Sequence, residues 1–214
     1  CRLVAPAESY SVVARDQNGR QVSATLRGIT EASRRQTTNP VNTTLAANIA
    51  RLDGPPGNVA LEFLNGGPVA RLRVRAFDGQ SFTSTLDSAS RVLRDRGTTS
   101  LILDLRGNGG GVDDYGAALV SQFTDKPFRY FDRIHITTIA PSFATWPQRT
   151  TDANRAGSEP DPAGGFRITS ARHRGVGEWS PAGVPYLGKL VVLIDGGTFS
   201  TAADVAAQLR SMSR

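Results

Sequence analysis

The chain has 214 residues, of which 39% are hydrophobic and 21% charged, and its formal net charge is +6. This size predicts one good-sized folded domain, or one domain with a small appendage. No apolar run is long enough to predict a membrane-spanning helix, and the single cysteine excludes an internal disulfide bond.

The positive charge comes almost entirely from arginine, because Lys126 and Lys189 are the only lysines. Arginine binds phosphate well, so a nucleic-acid partner has to be weighed. The arginines are scattered singly along the chain, however, and form no dense basic run. We therefore expect a solvated basic surface and no nucleic-acid partner.

The first 57 residues predict a β segment followed by a linker. Residues 10–29 contain two alternating runs around Asn18-Gly19, which is a hairpin signal. Residues 30–57 are polar and end in the breaker "GPPGN". We expect residues 1–57 to be the tail of a preceding domain and residues 58–214 to form the main domain.

The main domain begins with a second predicted hairpin, which turns at Asn65-Gly66-Gly67. In its second arm, alternation places apolar Ala70, Leu72 and Val74 on one face and Arg71, Arg73 and Arg75 on the other. Next, "TSTLDSASRVLRDRG" predicts a helix that ends at Gly97. The run "SLILDL" predicts a strand that is buried on both faces.

The second half of the main domain continues the alternation of strands and helices. A helix is predicted after "RGNGGG", starting at Asp113 or Asp114, and "FRYFDRIHI" is typical of a strand. Residues 141–188 form a long segment with weak periodicity. "KLVVLID" then predicts a buried strand, which is followed by an alanine-rich helix.

This order predicts an α/β fold with a mostly parallel sheet and flanking helices. In such sheets the reactive groups gather at the carboxyl ends of the strands. Two of those ends are rich in glycine here, "RGNGGG" after Leu105 and "GGTFS" after Asp195. Both turns should therefore open at the same rim of the sheet.

The turn "DGGTFSTAAD" could hold a nucleophile. With Thr198 as the N-cap, Ser200 lies in the first helical turn, where free N–H groups and the positive end of the helix dipole are concentrated. The N–H of Thr201 could then donate to an oxyanion. The alternative is that Thr198, Ser200 and Thr201 merely cap a helix, which is the commoner use of such residues.

The turn "RGNGGG" could supply a second oxyanion donor, because three consecutive glycines at 109–111 leave backbone N–H groups unobstructed. Its alternative use is phosphate or nucleotide binding. The turn lacks the Lys-Ser/Thr ending of a P-loop and the spacing of a dinucleotide fingerprint. We expect no cofactor and no metal.

Together, "LILDLRGNGGG" and "VVLIDGGTFSTAADVAAQL" closely resemble the C-terminal processing (tail-specific) serine peptidases, a family that includes the tricorn core protease and the repeats of interphotoreceptor retinoid-binding protein. "VARLRVRAF" and "FRYFDRIHI" resemble flanking strands of that family. The similarity runs from about residue 58 to the end, apart from 141–188. It implies a ClpP/crotonase-like core, Ser200 as nucleophile, an oxyanion hole formed by the N–H groups of Thr201 and Gly110, and a structural role for Asp204.

The proton acceptor is the missing part of this site. By resemblance, it is either a lysine after the serine helix or a histidine before the core, and neither segment is found here. Lys189 and Lys126 should lie at the opposite end of the sheet, and His135 should be solvated. His173, in the long segment, is the remaining candidate. We expect the base to lie outside this chain, the peptidase core to be truncated at its C-terminal end, and hydrolysis by this chain alone to be doubtful.

The resemblance implies a bacterial serine endopeptidase that acts on extended polypeptides outside the cytoplasm, in the periplasm or cell envelope. Residues 141–188 should then cover the substrate. Cys1 is either a lipid-modified terminus or simply the point at which the sequence begins. The alternative function is a non-catalytic module that binds peptides or apolar ligands in the same cleft. The oligomeric state is left open.

Overall fold

The computed structural model describes residues 8–15, 18–30, 32–33, 36, 57–141 and 148–213. The chain divides into two compact units, Cys1–Leu52 and Asp53–Arg214. Cys1 and most of the predicted linker lie outside the described residues, and the predicted division after residue 57 stays a prediction. Within the described ranges, no helix is both long and apolar enough to cross a membrane.

The first unit contains the predicted hairpin. Strand β1 (Ser9–Arg15) pairs antiparallel with β2 (Gln21–Arg27), with Ser9 opposite Arg27. Gly19 in the turn has φ +78°, a conformation that glycine adopts at little cost. The side chains of both strands are almost all exposed. The described part of this hairpin therefore buries little apolar surface of its own.

The second unit is built on a four-stranded sheet made of β3 (Val59–Phe63), β4 (Val69–Val74), β5 (Ser100–Asp104) and β11 (Lys189–Leu193). Their order across the sheet is β11-β5-β4-β3. Strands β4, β5 and β11 run parallel, whereas β3 pairs antiparallel with β4 across the predicted turn. The predicted α/β fold with a mostly parallel sheet is confirmed.

Three helices share one core with this sheet: α1 (Phe82–Asp95), α2 (Asp113–Ser121) and α4 (Thr201–Ser211). Helix α1 ends as predicted, since Gly97 directly follows its cap residue with φ +61°. The core joins alternate strand residues to one face of each helix; its members include Leu72, Val74, Leu101, Leu103, Leu86, Leu93, Leu119, Val205 and Leu209. Strand β5 is buried as its unbroken apolar run predicted.

The opposite face of the sheet carries a buried cluster of charges, which contradicts the expectation that the arginines are simply solvated. Asp104 is 0% exposed and its register partner Arg73 only 2%. Arg106 donates to both carboxylate oxygens of Asp104, at 2.9 and 2.8 Å, and Arg73 Nη1 lies 3.5 Å from Oδ2. Arg71 adds an ion pair with Glu62 at 2.9 Å.

These contacts set the ionisation of Asp104. Burial alone would raise its pKa, but the hydrogen bonds and charge of Arg106, together with the charge of Arg73, outweigh burial and hold the pKa below its usual value. Because Asp104 ends β5 just before the first glycine-rich turn, its charge holds Arg106 at the base of that turn.

We expect Asp104→Asn to lower the free energy of unfolding by about 3 kcal/mol at pH 7, because a buried arginine loses its counter-charge. A carboxylate with a lowered pKa stabilises the fold above its unfolded pKa of about 4, and that contribution is lost as pH falls through the lower folded value. Urea unfolding of both proteins at several pH values measures the free energy of unfolding and its dependence on pH. The difference in free energy of unfolding between wild type and variant should become smaller below about pH 4. A difference that does not change with pH would show that the pKa of Asp104 is not lowered in the folded protein.

The predicted strand "FRYFDRIHI" is wrong as a single strand. The structure has two short ones, β6 (Phe128–Arg129) and β7 (His135–Ile136), outside the main sheet. Strand β6 pairs with β10 (Glu178–Trp179), and β7 pairs with β9 (Phe166–Ile168). The two halves have different partners within residues 141–188, so the chain bends between them.

Residues 141–188 are also more ordered than their weak periodicity predicted. They hold helix α3 (Gln148–Ala156) and the strands β8 (Ser158–Pro160), β9 and β10. Residues 142–147 lie outside the described part. Trp179 enters the main core, and its ring lies 3.9 Å beneath the Arg174 guanidinium. The structure of this segment thus depends on pairing with strands outside it, β6 and β7, rather than on local periodicity.

Strand β11 is less buried than its apolar run predicted. It lies at the edge of the described sheet, and Val191 is 42% exposed. An unbroken apolar run predicts burial on both faces, but it does not say how many neighbours a strand has.

Candidate active site

The two glycine-rich turns lie side by side, as their positions at the carboxyl ends of β5 and β11 predicted. Asp195 joins them: its Oδ1 accepts from Gly107 N–H in the first turn at 2.8 Å and from Gly197 N–H in the second at 2.9 Å. Phe199 N–H donates to the Asn108 carbonyl at 2.9 Å. These bonds fix one turn against the other.

Thr198 belongs to this connection and is not the helix N-cap that the sequence predicted. Its hydroxyl donates to the Leu105 carbonyl at 2.9 Å and accepts from Asp195 N–H at 3.0 Å. Helix α4 begins at Thr201, and Ser200 is its N-cap residue. A cap pattern cannot distinguish a threonine that caps a helix from one that bridges two turns.

Ser200 has an unusual backbone at the junction between strand and helix. Its φ is +52° and its ψ −131°, in a region that non-glycine residues rarely adopt and that costs about 1–3 kcal/mol. The residue is exposed, and its hydroxyl makes no capping hydrogen bond to the helix. A serine on a strained turn between strand and helix is the arrangement in which α/β hydrolases present their nucleophile.

Gly110 packs directly against Ser200. A Cβ at Gly110 would lie 2.6 Å from Ser200 Cβ, 2.9 Å from the Phe199 carbonyl oxygen and 3.0 Å from Thr201 N. Its φ of +100° also favours glycine. The structure thus brings together the three residues that the resemblance assigned to the nucleophile and the oxyanion hole.

The amide of Gly110, however, is not a free donor in this structure. It donates to Asn108 Oδ1 at 2.8 Å, which corrects the expectation that it lies open to an oxyanion. The buried Asn108 also donates from Nδ2 to the Val74 carbonyl at 2.9 Å. The physical reason is that a turn of consecutive glycines needs internal hydrogen bonds to hold one shape, and Asn108 supplies them.

Gly111 contacts both Phe77 and Thr201. The groups on either side of it, the Gly110 carbonyl and Val112 N–H, both bond to Phe77. The Gly111 N–H and carbonyl are therefore directed away from Phe77, and the carbonyl lies 3.0 Å from the Thr201 hydroxyl.

Thr201 is fully buried beside Ser200. As the first residue of α4, its N–H has no acceptor in the part of the chain that is described. Its hydroxyl lies 2.7 Å from Asp113 Oδ1, and its carbonyl accepts from the Tyr130 hydroxyl at 3.1 Å. The N–H is thus available at a residue whose other polar groups are all bonded.

Asp204 lies one helical turn after Ser200, and its N–H donates to the Ser200 carbonyl at 3.0 Å. Burial raises the pKa of its carboxyl group, and the charge of Asp113 raises it further. Burial, Asp204 and Asp113 likewise raise the pKa of Tyr130, which keeps its hydroxyl protonated as a donor. The structural role of the Asp204 side chain stays a prediction.

None of the four candidate bases contacts Ser200 within the described residues. His173 Nε2 lies 3.3 Å from Asp113 Oδ2, and its Nδ1 accepts from Gly175 N–H. Both ring nitrogens of His173 are thus engaged elsewhere, because the turn that His173 begins, Arg174–Val176, holds its ring against Asp113 of α2. His135 bonds to the Gly164 carbonyl. Lys126 follows the C-terminal end of α2, and Lys189 is the first residue of β11, at the end of the strand opposite the rim.

Sequence reasoning missed three residues that shape this site: Asn108, Asp113 as a partner of Thr201, and Asp195. Two of them carried a signal. Asn108 is the only residue with a polar side chain inside "GNGGG", and Asp195 ends an apolar strand immediately before two glycines. Asp113 was noted only as a helix start, and nothing local indicated its contact with a residue 88 positions later.

Several solved structures resemble the chain. Photosystem II D1 C-terminal processing protease is 14% identical with a TM-score of 0.40, over 98% of this chain and 42% of that one. Mature CPAF is 16% identical with a TM-score of 0.49, over 99% of this chain and 53% of that one. A lipoprotein from Streptococcus agalactiae is 13% identical with a TM-score of 0.41, over 72% of this chain and 46% of that one. The chain thus spans about half the length of these proteins.

The comparison with curated proteins gave no match. The family comparison did: residues 68–214, which contain β4, both glycine-rich turns and Ser200, match peptidase family S41. This match covers more than half of the 214 residues. The chain therefore belongs to peptidase family S41.

Proposed function

We propose that this chain is the catalytic core of a serine endopeptidase that hydrolyses extended polypeptides through an acyl-enzyme on Ser200. The observation that carries the proposal is the backbone of Ser200, held at φ +52° at the start of α4, with the Thr201 N–H and the glycine turn beside it. Membership of peptidase family S41 supports the reaction type.

In the proposed reaction, Ser200 Oγ attacks the carbonyl carbon of the scissile peptide bond while a base takes the hydroxyl proton. The C–N bond then breaks, the amine leaves with that proton, and an ester remains on Ser200. Water, deprotonated by the same base, then attacks the ester carbon. The bond from that carbon to Ser200 Oγ breaks, the base returns its proton to Oγ, and the carboxylic acid product leaves and ionises. Each attack places negative charge on the former carbonyl oxygen.

Two backbone amides would bind this oxyanion. The Thr201 N–H is the first, because it is adjacent to the nucleophile and lacks an acceptor in the described chain. We assign the second to Gly111, whose N–H is directed away from Phe77 and whose carbonyl contacts Thr201, since the Gly110 amide is bonded to Asn108. In this proposal Gly110 supplies space for Ser200 rather than a hydrogen bond.

We assign the proton acceptor to a residue that this chain does not supply, because its two lysines and two histidines all lie in the described ranges. His173, His135, Lys126 and Lys189 all have other contacts or lie away from the rim. On this proposal the chain by itself hydrolyses peptides slowly or not at all, and the complete protein has the activity.

The rim offers features suited to an extended substrate. Phe199 and Ile194 are 71% and 58% exposed on either side of the second turn, so apolar side chains are available there. A cavity of about 380 Å³, lined by residues 112–114 and 170–174, lies between the start of α2 and the long segment. We propose that residues 170–174 cover bound substrate, and, from the family resemblance alone, that the protein acts outside the cytoplasm.

The test is covalent labelling with a fluorophosphonate, followed by peptide mapping. We expect the full-length protein to be phosphonylated on Ser200 when it is folded and not after unfolding, while this chain alone labels far more slowly. Labelling of Thr198 or Thr201 instead would contradict the assignment. If neither form labels while both are folded, the nucleophile assignment fails, and peptide binding without hydrolysis becomes the better description of the cleft.

A further inference from the structure

The hydroxyl of Thr201 links three parts of the site. Thr201 is completely buried, and its Oγ1 lies 2.7 Å from Asp113 Oδ1 and 3.0 Å from the Gly111 carbonyl oxygen. A threonine hydroxyl has only one hydrogen to donate. The shorter contact to a charged acceptor is the stronger one, so the Asp113 carboxylate is the main partner.

The rest of Thr201 is also fixed. Its carbonyl accepts from the Tyr130 hydroxyl at 3.1 Å, and its methyl group packs against Gly116 of α2, where a Cβ would lie 2.6 Å from Thr201 Cγ2. Helix α2 thus approaches Thr201 so closely that only glycine fits at residue 116. The Asp113–Thr201 bond lies at the N-terminal end of this contact between α2 and α4.

The position of Thr201 matters because it shares a peptide unit with Ser200. The strained φ of Ser200 persists only if neighbouring contacts hold it, and the Thr201 N–H belongs to that same peptide plane. If the Thr201 side chain turned, the plane could rotate and move the donor. An error of about 1 Å in such a group can cost about 100-fold in rate.

We propose that Asp113 is a positioning residue: through its hydrogen bond to the Thr201 hydroxyl, it holds the Thr201 N–H and the Ser200 backbone in the geometry for oxyanion binding. This inference rests on the proposed peptidase function. Asp113 itself does not touch substrate. Its second oxygen, 3.3 Å from His173 Nε2, also connects the site to the segment that carries His173.

The test compares paired variants of the full-length protein on a peptide substrate. Thr201→Val keeps the shape and removes the hydroxyl, whereas Asp113→Ala removes its acceptor. Each should lower kcat by about 10- to 100-fold with KM within about 3-fold. The reason is that the misplaced Thr201 N–H binds the oxyanion less well, and the oxyanion exists only in the transition state and intermediate. Thr201→Ser, which keeps the hydroxyl, should stay within about 3-fold of wild type.

Two further variants separate positioning from general stability. Asp125→Ala removes an exposed carboxylate just past the C-terminal end of α2, away from the rim, and should leave kcat unchanged. The double variant Thr201→Val/Asp113→Ala should lose no more than either single variant, because both remove one interaction. Additive losses would overturn the proposal. Should Asp113→Ala fail to fold, Asp113→Asn, which keeps an acceptor oxygen, should retain more activity than Thr201→Val.

An NMR measurement tests the positioning without any turnover. Asp113→Ala, which leaves residues 200 and 201 themselves unchanged, should shift the Ser200 Cα and Cβ signals and the Thr201 amide signal, whereas Asp125→Ala should not. If wild type neither labels nor hydrolyses but these shifts occur, the peptidase function fails and the positioning stands. If wild type is active and both deletion variants keep full kcat, the positioning proposal is wrong and the peptidase function stands.

Discussion

Replacing Ser200 with alanine is expected to lower peptide hydrolysis by the full-length protein by at least about 10⁴-fold, because in the proposed mechanism no other group forms the acyl-enzyme. The fold should be unaffected. Ser200 Oγ makes no capping hydrogen bond, and alanine adopts the positive φ about as poorly as serine does, so the free energy of unfolding should change by less than about 0.5 kcal/mol. Steady-state hydrolysis and urea unfolding measure the two effects.

Ser211→Ala is the matched control. Ser211 lies in the last turn of the same helix, α4, is exposed, and donates only to the Gln208 carbonyl among the described residues. Its replacement should leave hydrolysis unchanged. If Ser200→Ala retained more than a few per cent of the activity while remaining folded, Ser200 would not be the nucleophile.

Gly110→Ala is expected to reduce both stability and activity. The new Cβ would lie 2.6 Å from Ser200 Cβ and 2.9 Å from the Phe199 carbonyl oxygen, closer than real side chains pack. The positive φ of +100° adds backbone strain. Each effect costs about 1–3 kcal/mol, so the free energy of unfolding should fall by about 2–6 kcal/mol. Acylation should also be lost in the molecules that stay folded, since Ser200 has to move.

Gly109→Ala provides the comparison for Gly110, because it places the same methyl group one residue earlier in the same turn. Nothing lies within 4 Å of a Cβ at Gly109, and its φ is not in the left-handed region. Stability should therefore change by less than about 1 kcal/mol, and labelling of Ser200 should persist. Equal losses for the two variants would show that flexibility of the whole turn, not the contact with Ser200, requires the glycines.

The elements with strong local patterns were predictable from sequence. Alternation identified β4, the apolar run identified β5, and helical spacing with Gly97 identified α1, because each signal arises from neighbours within a few residues. The weak elements were not predictable. Strands β6, β7, β9 and β10 are two or three residues long, and they exist only because distant segments pair with them.

The candidate site likewise has features that the sequence predicted and features that it did not. The sequence placed Gly110, Ser200 and Thr201 at one rim, because parallel strands followed by glycine-rich turns must open at the same edge of a sheet. It also led to the peptidase family through two motifs. It misplaced the helix start by assigning the cap to Thr198, because a hydroxyl that bridges two turns and one that caps a helix have the same local pattern.

The sequence by itself thus determined the α/β layer, the place of Ser200 beside the glycine-rich turn and the family, since these depend on local periodicity and on short motifs. Only the tertiary structure decided which amides are free, that Arg73 and Asp104 are buried as a pair, and that Asp113 holds Thr201. Hydrogen bonds and burial depend on which residues meet in space. The partners here are 31 and 88 positions apart in the chain, beyond the reach of any local pattern.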